Sequence, residues 1–389
     1  MHKKLEIAVI GVGNRARKYL SCLPEWVKVK YVVEPEPLRR QIASRLCGVP
    51  QEACFESPEE FFATKPKAHA AIIATPDRLH LPLSLLAASH GWHILLEKPV
   101  SLSEGAYLQL VEASERFGVN ITPCLEMRYH KYFRRIRELV LEGAVGEIKS
   151  IDHTEHVGPD RMAHTFVRGL WSRRDQAGPI FLSKCCHDAD FLVWLTGQKA
   201  EWVSSNGRID KFKPTPGTPE RCLGCPIADC PYSAVNLYRK RREWIDGFDV
   251  PPGGTLEEVI DEELRSGRWG RCVYHCDNDV YDTQDVSIQM TGGINVDMHL
   301  DGTSLLEGRS TRIYGTEGML TAENWRIRVE RNWETVLDED YMGLEFLGLH
   351  GGADAAMLED FFEAVAAGTT PLLTLQSALE GHRICYLAD

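Results

Sequence analysis

Apolar and polar positions along the chain fall into two regimes. From residue 5 to residue 123, short apolar runs alternate with stretches whose apolar residues recur every three or four positions. The runs at 5–10, 27–33, 70–75, 92–96 and 120–123 read as strands, and the stretches at 16–23, 79–90 and 104–117 read as helices. Repeated strand and helix units of this kind predict an α/β fold with a doubly wound parallel sheet, whose ligands bind at the carboxyl ends of the strands. Farther on, the pattern becomes two-residue alternation at 147–155, 202–210, 286–290, 293–300, 310–314 and 326–330, which reads as β segments.

Length and composition narrow this picture. A chain of 389 residues with 43% hydrophobic and 26% charged residues has the proportions of two folded domains. The net charge of −12 offers no footprint for nucleic acid or an anionic membrane, and neither is expected as a partner. Arg239-Lys240-Arg241-Arg242 reads as a solvated helix face. The charged start, Met1 to Glu6, leads into a strand with no apolar leader, and no run reaches the ~18 apolar residues of a membrane span, so a cytoplasmic location is expected. There the twelve cysteines would be thiols or metal ligands.

Candidate chemistry begins where the first strand ends. Gly11-Val12-Gly13-Asn14-Arg15-Ala16 lies between a strand and a helix, the context a dinucleotide-binding turn requires. Gly11 allows the tight turn, Gly13 lets backbone approach a pyrophosphate, and Ala16 permits close packing of helix on strand. The helix start aims amide groups at the phosphates. Glu34 follows the second strand, about twenty residues past the loop, where a carboxylate accepts both ribose hydroxyls and repels a 2′-phosphate. NAD is therefore expected over NADP, although Arg39 and Arg40 soften the preference. Two more loops follow strands, Thr75-Pro76-Asp77 and Glu97-Lys98-Pro99.

With the glycine loop, these two loops resemble the glucose-fructose oxidoreductase / inositol dehydrogenase / MocA (Gfo/Idh/MocA) family. The resemblance runs on through Glu142-Gly143-Ala144-Val145-Gly146-Glu147-Ile148, His187-Asp188-Ala189-Asp190, Gly315-Thr316-Glu317-Gly318 and a helix over 357–365. It implies an N-terminal Rossmann domain over 1–124. It also implies a C-terminal α+β domain over 125–389, with a large, mostly antiparallel sheet that binds substrate and mediates a homodimer or homotetramer. Cofactor contacts are expected from Gly11, Gly13, Asn14, Arg15, Glu34, Thr75, Pro76, His80, Glu97 and Lys98.

Oxidising a carbinol leaves a hydroxyl proton that a base must accept. Lys98 alone reads as a surface lysine paired with Glu97; the family's Glu-Lys-Pro loop, whose lysine meets the reacting hydroxyl, makes it the expected base. Lys184 and His187 share a helix face and are the other catalytic candidates. Many relatives carry an aspartate four residues before the histidine, but Ser183 stands there, which alters the usual relay. His187 alone also fits a core histidine. Substrate contacts are expected from His164, Arg168, Trp171, Asp188 and Arg128, with a structural ion pair as the other reading of Arg168.

Cys222, Cys225 and Cys230 with Cys272 have the spacing of a structural zinc site, in a cysteine-rich insertion at about 210–285 found in one branch of the family. Cys276 is the alternative fourth ligand, and unligated thiols or an iron-sulfur cluster are the other readings. Cys185 and Cys186 read as packing residues. Two enzymatic functions follow from the resemblance. One is an NAD-dependent oxidoreductase acting on a secondary hydroxyl of a sugar, polyol or sugar derivative. The other is a redox glycoside hydrolase that recycles bound NAD through oxidation, elimination, water addition and reduction. A non-catalytic NAD-binding regulator is the third class, against which Lys98 argues.

Overall fold

The computed structural model describes residues 4–389, so residues 1–3 of the charged start lie outside the described residues. The chain packs into two compact units: one runs to Arg134 and resumes over Gly343–Arg383, and the other comprises Arg135–Met342 with Ile384–Asp389.

The first unit is built from β1 (Leu5–Ile10), α1 (Asn14–Leu20), β2 (Val27–Val33), α2 (Pro37–Cys47), β3 (Cys54–Phe55), α3 (Pro58–Ala63), β4 (Ala70–Ile73), α4 (His80–Ser89), β5 (His93–Leu96), α5 (Glu104–Phe117) and β6 (Ile121–Pro123). Its six strands lie in the order β3-β2-β1-β4-β5-β6, all parallel. Ile7 to Ile10, Ala70 to Ile73 and Ile94 to Leu96 are buried, so these strands need apolar residues on both faces and read as continuous runs. The helices begin and end where local chemistry dictates. Ser57 and Ser103 accept the Glu60 and Ala106 N–H groups to cap α3 and α5, and α5 ends at Gly118 with a φ of 64°. Strand order reverses between β1 and β4, which makes the loops after them the crevice of the sheet.

The second unit takes in most of α6 (Lys131–Leu141), then β7 (Ile148–Val157), α7 (Pro159–Arg161), α8 (Arg174–Ala177), α9 (Ile180–Thr196), β8 (Ala200–Arg208), α10 (Leu256–Arg265) and β9 (Thr283–Met290). It continues with β10 (Asn295–Asp301), β11 (Glu307–Gly315), β12 (Met319–Glu323), β13 (Arg326–Arg331) and β14 (Glu334–Asp340). The eight strands run β14-β13-β12-β11-β7-β10-β9-β8, and every neighbouring pair is antiparallel except β7 with β10. On β7 the buried positions alternate as Ile151, His153, Glu155 and Val157, so two ionisable residues stand on the inward face. α9 lies against that face and is buried on nearly every side, which explains its lack of a polar stripe.

Between β8 and β9 the insertion builds a small core of its own from Ala234, Leu237, Tyr238, Phe248, Ile260 and Leu264. The buried Asp282 carboxylate closes its base by accepting the Asp210, Lys211 and Phe212 N–H groups at 2.7, 2.8 and 3.0 Å. The Arg239 to Arg242 stretch is exposed, as a solvated face should be, and pairs with Asp261, Asp160 and Glu257. The chain finishes with α11 (Ala353–Ala367) and α12 (Leu375–Leu387), the first of which packs within the first unit. Among the described residues no helix is long and apolar enough to cross a membrane.

Candidate functional site

In the first unit the glycine loop is held tightly on one side and open on the other. Gly11 has a φ of 82°, its N–H donates to the Val33 carbonyl at 2.8 Å, and a Cβ there would stand 2.6 Å from the Ala74 carbonyl oxygen. Only glycine fits. Gly13 caps α1 with no side-chain hydrogen bond, and a Cβ on it would meet nothing within 4 Å. At the end of β2 the Glu34 side chain is buried, and its Oε2 accepts the Val12 N–H at 2.7 Å while Oε1 accepts the Glu36 N–H at 3.1 Å. Arg40 turns to the Glu34 and Pro35 carbonyls. Beyond β4 the Thr75 hydroxyl is buried with no hydrogen-bond partner among the described residues. An open backbone cradle, a helix start with uncapped amides, a carboxylate after β2 and an unpartnered hydroxyl after β4 together fit a dinucleotide.

The loop after β5 is fixed residue by residue. Glu97 Oε1 accepts hydrogen bonds from Arg15 Nε at 2.9 Å and the Tyr19 hydroxyl at 2.5 Å, while Oε2 accepts the Lys98 N–H at 2.9 Å. Arg15 uses its remaining nitrogens on both oxygens of Asp354, one of them at 3.0 Å. The Lys98–Pro99 peptide is cis. His80 spans two loops, with Nδ1 2.7 Å from the Pro99 carbonyl and Nε2 3.0 Å from that of Thr75. Val100 N–H donates to Nε2 of His382 at 3.2 Å, and His382 Nδ1 lies 3.1 Å from the Ala378 carbonyl. These two bonds place the His382 proton on Nδ1. Burial, with the Lys98 charge adding to it, lowers its pKa to about 4.

This geometry corrects three expectations. His80 is sealed from solvent and supports the loops from beneath, so it does not face a cofactor. Arg15 is committed to Glu97 and Asp354 rather than to phosphate. Arg128 is buried against Ser377, donating to its carbonyl at 2.8 Å, and so packs inside the unit instead of meeting substrate.

In the second unit α9 and β7 bring a charged cluster together. Lys184 Nζ lies 2.5 Å from Glu155 Oε1, and Arg309 bridges Glu155 at 3.0 Å and Asp188 at 2.5 Å. His153 joins Asp188 at 3.0 Å and Thr311 at 2.9 Å. Burial pushes the Lys184 ammonium below the ordinary lysine range against the pull of Glu155. Burial would raise the Asp188 carboxyl, but Arg309 and His153 outweigh it and hold it well below the carboxylate range. Asp188 is fully buried, so it organises the cluster and does not contact substrate as expected. His187 lies one helical turn from Lys184 and is nearly buried, and Ser183 is buried with its hydroxyl donating to the Ile180 carbonyl at 3.3 Å. Sequence reasoning missed His153, Glu155, Arg309 and Asp354. For the first two, the signal was present: ionisable residues at inward positions of an alternating strand.

The insertion takes up two further candidates. His164 is stacked against Trp244 and Trp269, with ring centroids at 5.3 and 5.4 Å, and its Nδ1 lies 2.8 Å from the Tyr238 hydroxyl. Burial, followed by the Arg168 charge, lowers its pKa to about 3. Arg168 is 0% exposed and donates to the Arg271 carbonyl at 2.6 Å and the Tyr232 carbonyl at 2.5 Å, with Cys222 Sγ at 3.5 Å. Arg168 is sealed from a sugar and His164 is half-buried; both fasten the insertion, although Arg168 does so through carbonyls and not through the ion pair considered for it. Trp171 is half-buried on the bend before α8. Among the described residues no three His, Cys, Asp or Glu side chains are grouped so as to hold a metal ion. The expected zinc ligands Cys222, Cys225, Cys230 and Cys272 lie close enough for Cys230 and Cys272 each to feel Cys222 electrostatically, without forming such a group. Cys222 Sγ lies 3.7 Å from the Arg271 carbonyl, and the alternative ligand Cys276 is buried with its thiol on the Cys272 carbonyl at 3.3 Å.

Comparison with known proteins agrees with the fold and the cofactor loop. Residues 5–123 match the Gfo/Idh/MocA oxidoreductase family, NAD-binding Rossmann fold, and residues 133–321 match the Gfo/Idh/MocA C-terminal domain. Across 92% of its length the chain is 23% identical to YteT of Bacillus subtilis (strain 168), covering 88% of that protein. The fold is similar to an oxidoreductase from Agrobacterium radiobacter solved with NAD+, L-tartaric acid and magnesium, at a TM-score of 0.70 and 13% identity, over 99% of this chain and 97% of that one. It is also similar to scyllo-inositol dehydrogenase from Lactobacillus casei with NAD(H) and scyllo-inositol, at 0.68 and 16%, over 99% and 96% of the two chains. The glycine loop with its carboxylate, the two sheets and the matches to both domains together identify the chain as a Gfo/Idh/MocA family oxidoreductase with an NAD-binding Rossmann domain and the family's C-terminal domain.

Proposed function

We propose that the protein oxidises a secondary hydroxyl of a sugar, polyol or sugar derivative, with Lys98 as the proton acceptor. One observation carries this reading. Lys98 follows β5, next to β4 and two strands from β1, at the same carboxyl edge as the glycine loop, with its backbone N–H fixed by Glu97. Gly13 and the first amides of α1 would hold the pyrophosphate, Glu34 would accept the adenosine ribose hydroxyls, and Thr75 would line the cradle. Bound NAD supplies the hydride-accepting chemistry. Lys98 would receive the hydroxyl proton, and Lys184 and His187 are proposed as further catalytic residues. The polyol and hydroxy-acid ligands of the two similar solved proteins support this substrate class.

The redox glycoside hydrolase is the second reading, and the Lys184–Glu155 pair favours it. A lysine depressed by burial beside a carboxylate suits removal of a carbon-bound proton, a step that simple oxidation of a hydroxyl lacks. Incubation with NAD and a panel of inositols, hexoses, sugar acids and aryl glycosides separates the two. NADH accumulation is the result expected of the dehydrogenase, and aglycone release without net NADH is that of the hydrolase. Failure to bind NAD overturns both.

A further inference from the structure

The loop that carries Lys98 is held from both ends by the last part of the chain, and each contact is made by a buried group. On the Glu97 side, Asp354 in the first turn of α11 is fully buried and engages Arg15 with both oxygens. The third nitrogen of that guanidinium reaches Glu97, whose other oxygen fixes the Lys98 N–H. On the far side, His382 accepts the Val100 N–H. Arg15 lies two residues past Gly13, so one fork ties the glycine loop, the Lys98 loop and α11 together. A guanidinium suits this role, because its rigid planar fork meets both oxygens of Asp354 and one of Glu97 in fixed directions, whereas an ammonium is a point charge whose donors rotate.

We propose that Arg15 and Asp354 are positioning residues that act through Glu97 to set the place of Lys98 for proton transfer. The inference rests on Lys98 being the proton acceptor. A base must sit within hydrogen-bond reach of its proton, and a displacement of about 1 Å costs on the order of a hundredfold in rate.

Two measurements test it on the full chain. Amide hydrogen exchange at Lys98, with and without NAD, needs no substrate: Asp354→Asn and Arg15→Lys should speed exchange there, leave α5 unchanged, and Asp354→Glu should restore protection. Turnover is then read with scyllo-inositol, or with whichever compound of the panel is oxidised fastest. Asp354→Asn and Arg15→Lys should lower kcat about 10- to 100-fold with KM for NAD within about twofold, and Asp354→Glu should recover most of it. If Asp354→Asn does not fold, Arg15→Lys and Glu97→Gln decide. Lys98→Met is measured in parallel. If it keeps wild-type kcat, the reading of Lys98 as the base falls, whatever the exchange data show. If it loses turnover while Asp354→Asn and Arg15→Lys keep both wild-type kcat and Lys98 protection, the positioning role is overturned and the base survives.

Discussion

At Gly11 the backbone is left-handed and an added methyl would stand 2.6 Å from the Ala74 carbonyl oxygen. Gly11→Ala therefore combines strain and collision. We expect a loss of at least 1–3 kcal/mol in stability together with weakened NAD binding, read by thermal denaturation and by titration with NAD. Lys98→Met removes the proposed base from a loop whose backbone is otherwise anchored. Turnover should fall roughly 10²- to 10⁴-fold, with NAD affinity changed by less than about threefold. His382 gives a pH signature. Its pKa is about 4 in the fold against 6.5 ordinarily, so the unfolded chain binds the extra proton first as pH falls. Stability is full above pH 6.5 and declines towards pH 4, by about 3 kcal/mol. His382→Gln, which can still accept the Val100 N–H but does not titrate, should flatten that window in urea denaturation. A slope that persists in His382→Gln assigns it to another group.

Among the elements, legibility followed how local each cause is. Leu5–Ile10, Val27–Val33 and Glu104–Phe117 stood in the sequence with the bounds they have in the fold, because an apolar run or a serine cap fixes each. β14, with its sequence Glu-Thr-Val-Leu-Asp-Glu-Asp and four acidic residues, carries little apolar alternation and exists because β13 offers it an edge. The candidate site divides in the same way. The glycine loop, Glu34 and Lys98 are motifs on strand ends and were legible. Asp188 was misread because its partners, His153 and Arg309, lie 35 and 121 residues away. Arg168 was misread because an insertion distant in sequence covers it, and the same insertion stacks two tryptophans on His164. The β7–α9 cluster makes an asymmetric prediction. Glu155 meets two cations and Lys184 one carboxylate. Glu155→Leu should cost about 3–5 kcal/mol and Lys184→Met clearly less, measured by urea denaturation. Equal costs would show that Arg309 does not share the carboxylate.

For the whole molecule, the insertion and the late helices decide which parts depend on which. The insertion has its own core and is fastened by Arg168, so Arg168→Met strands the Tyr232 and Arg271 carbonyls. We expect about 1–3 kcal/mol of local destabilisation and faster proteolysis within 210–280, with NAD binding untouched. Loss of NAD binding in that variant would mean that the insertion does more than pack. The resumption of the first unit at Gly343 has a consequence in time. A nascent chain that has emerged as far as Arg134 already has all six parallel strands, yet lacks the carboxylate that Arg15 needs and the imidazole that Val100 needs. Asp354 lies 220 and His382 248 residues beyond Arg134, a further roughly 11–50 s of translation at ordinary elongation rates. During that interval the nascent chain carries the strands of the cofactor sheet without the partners of Arg15 and Val100, so the proposed acid-base loop gains its anchors only as the last helices emerge.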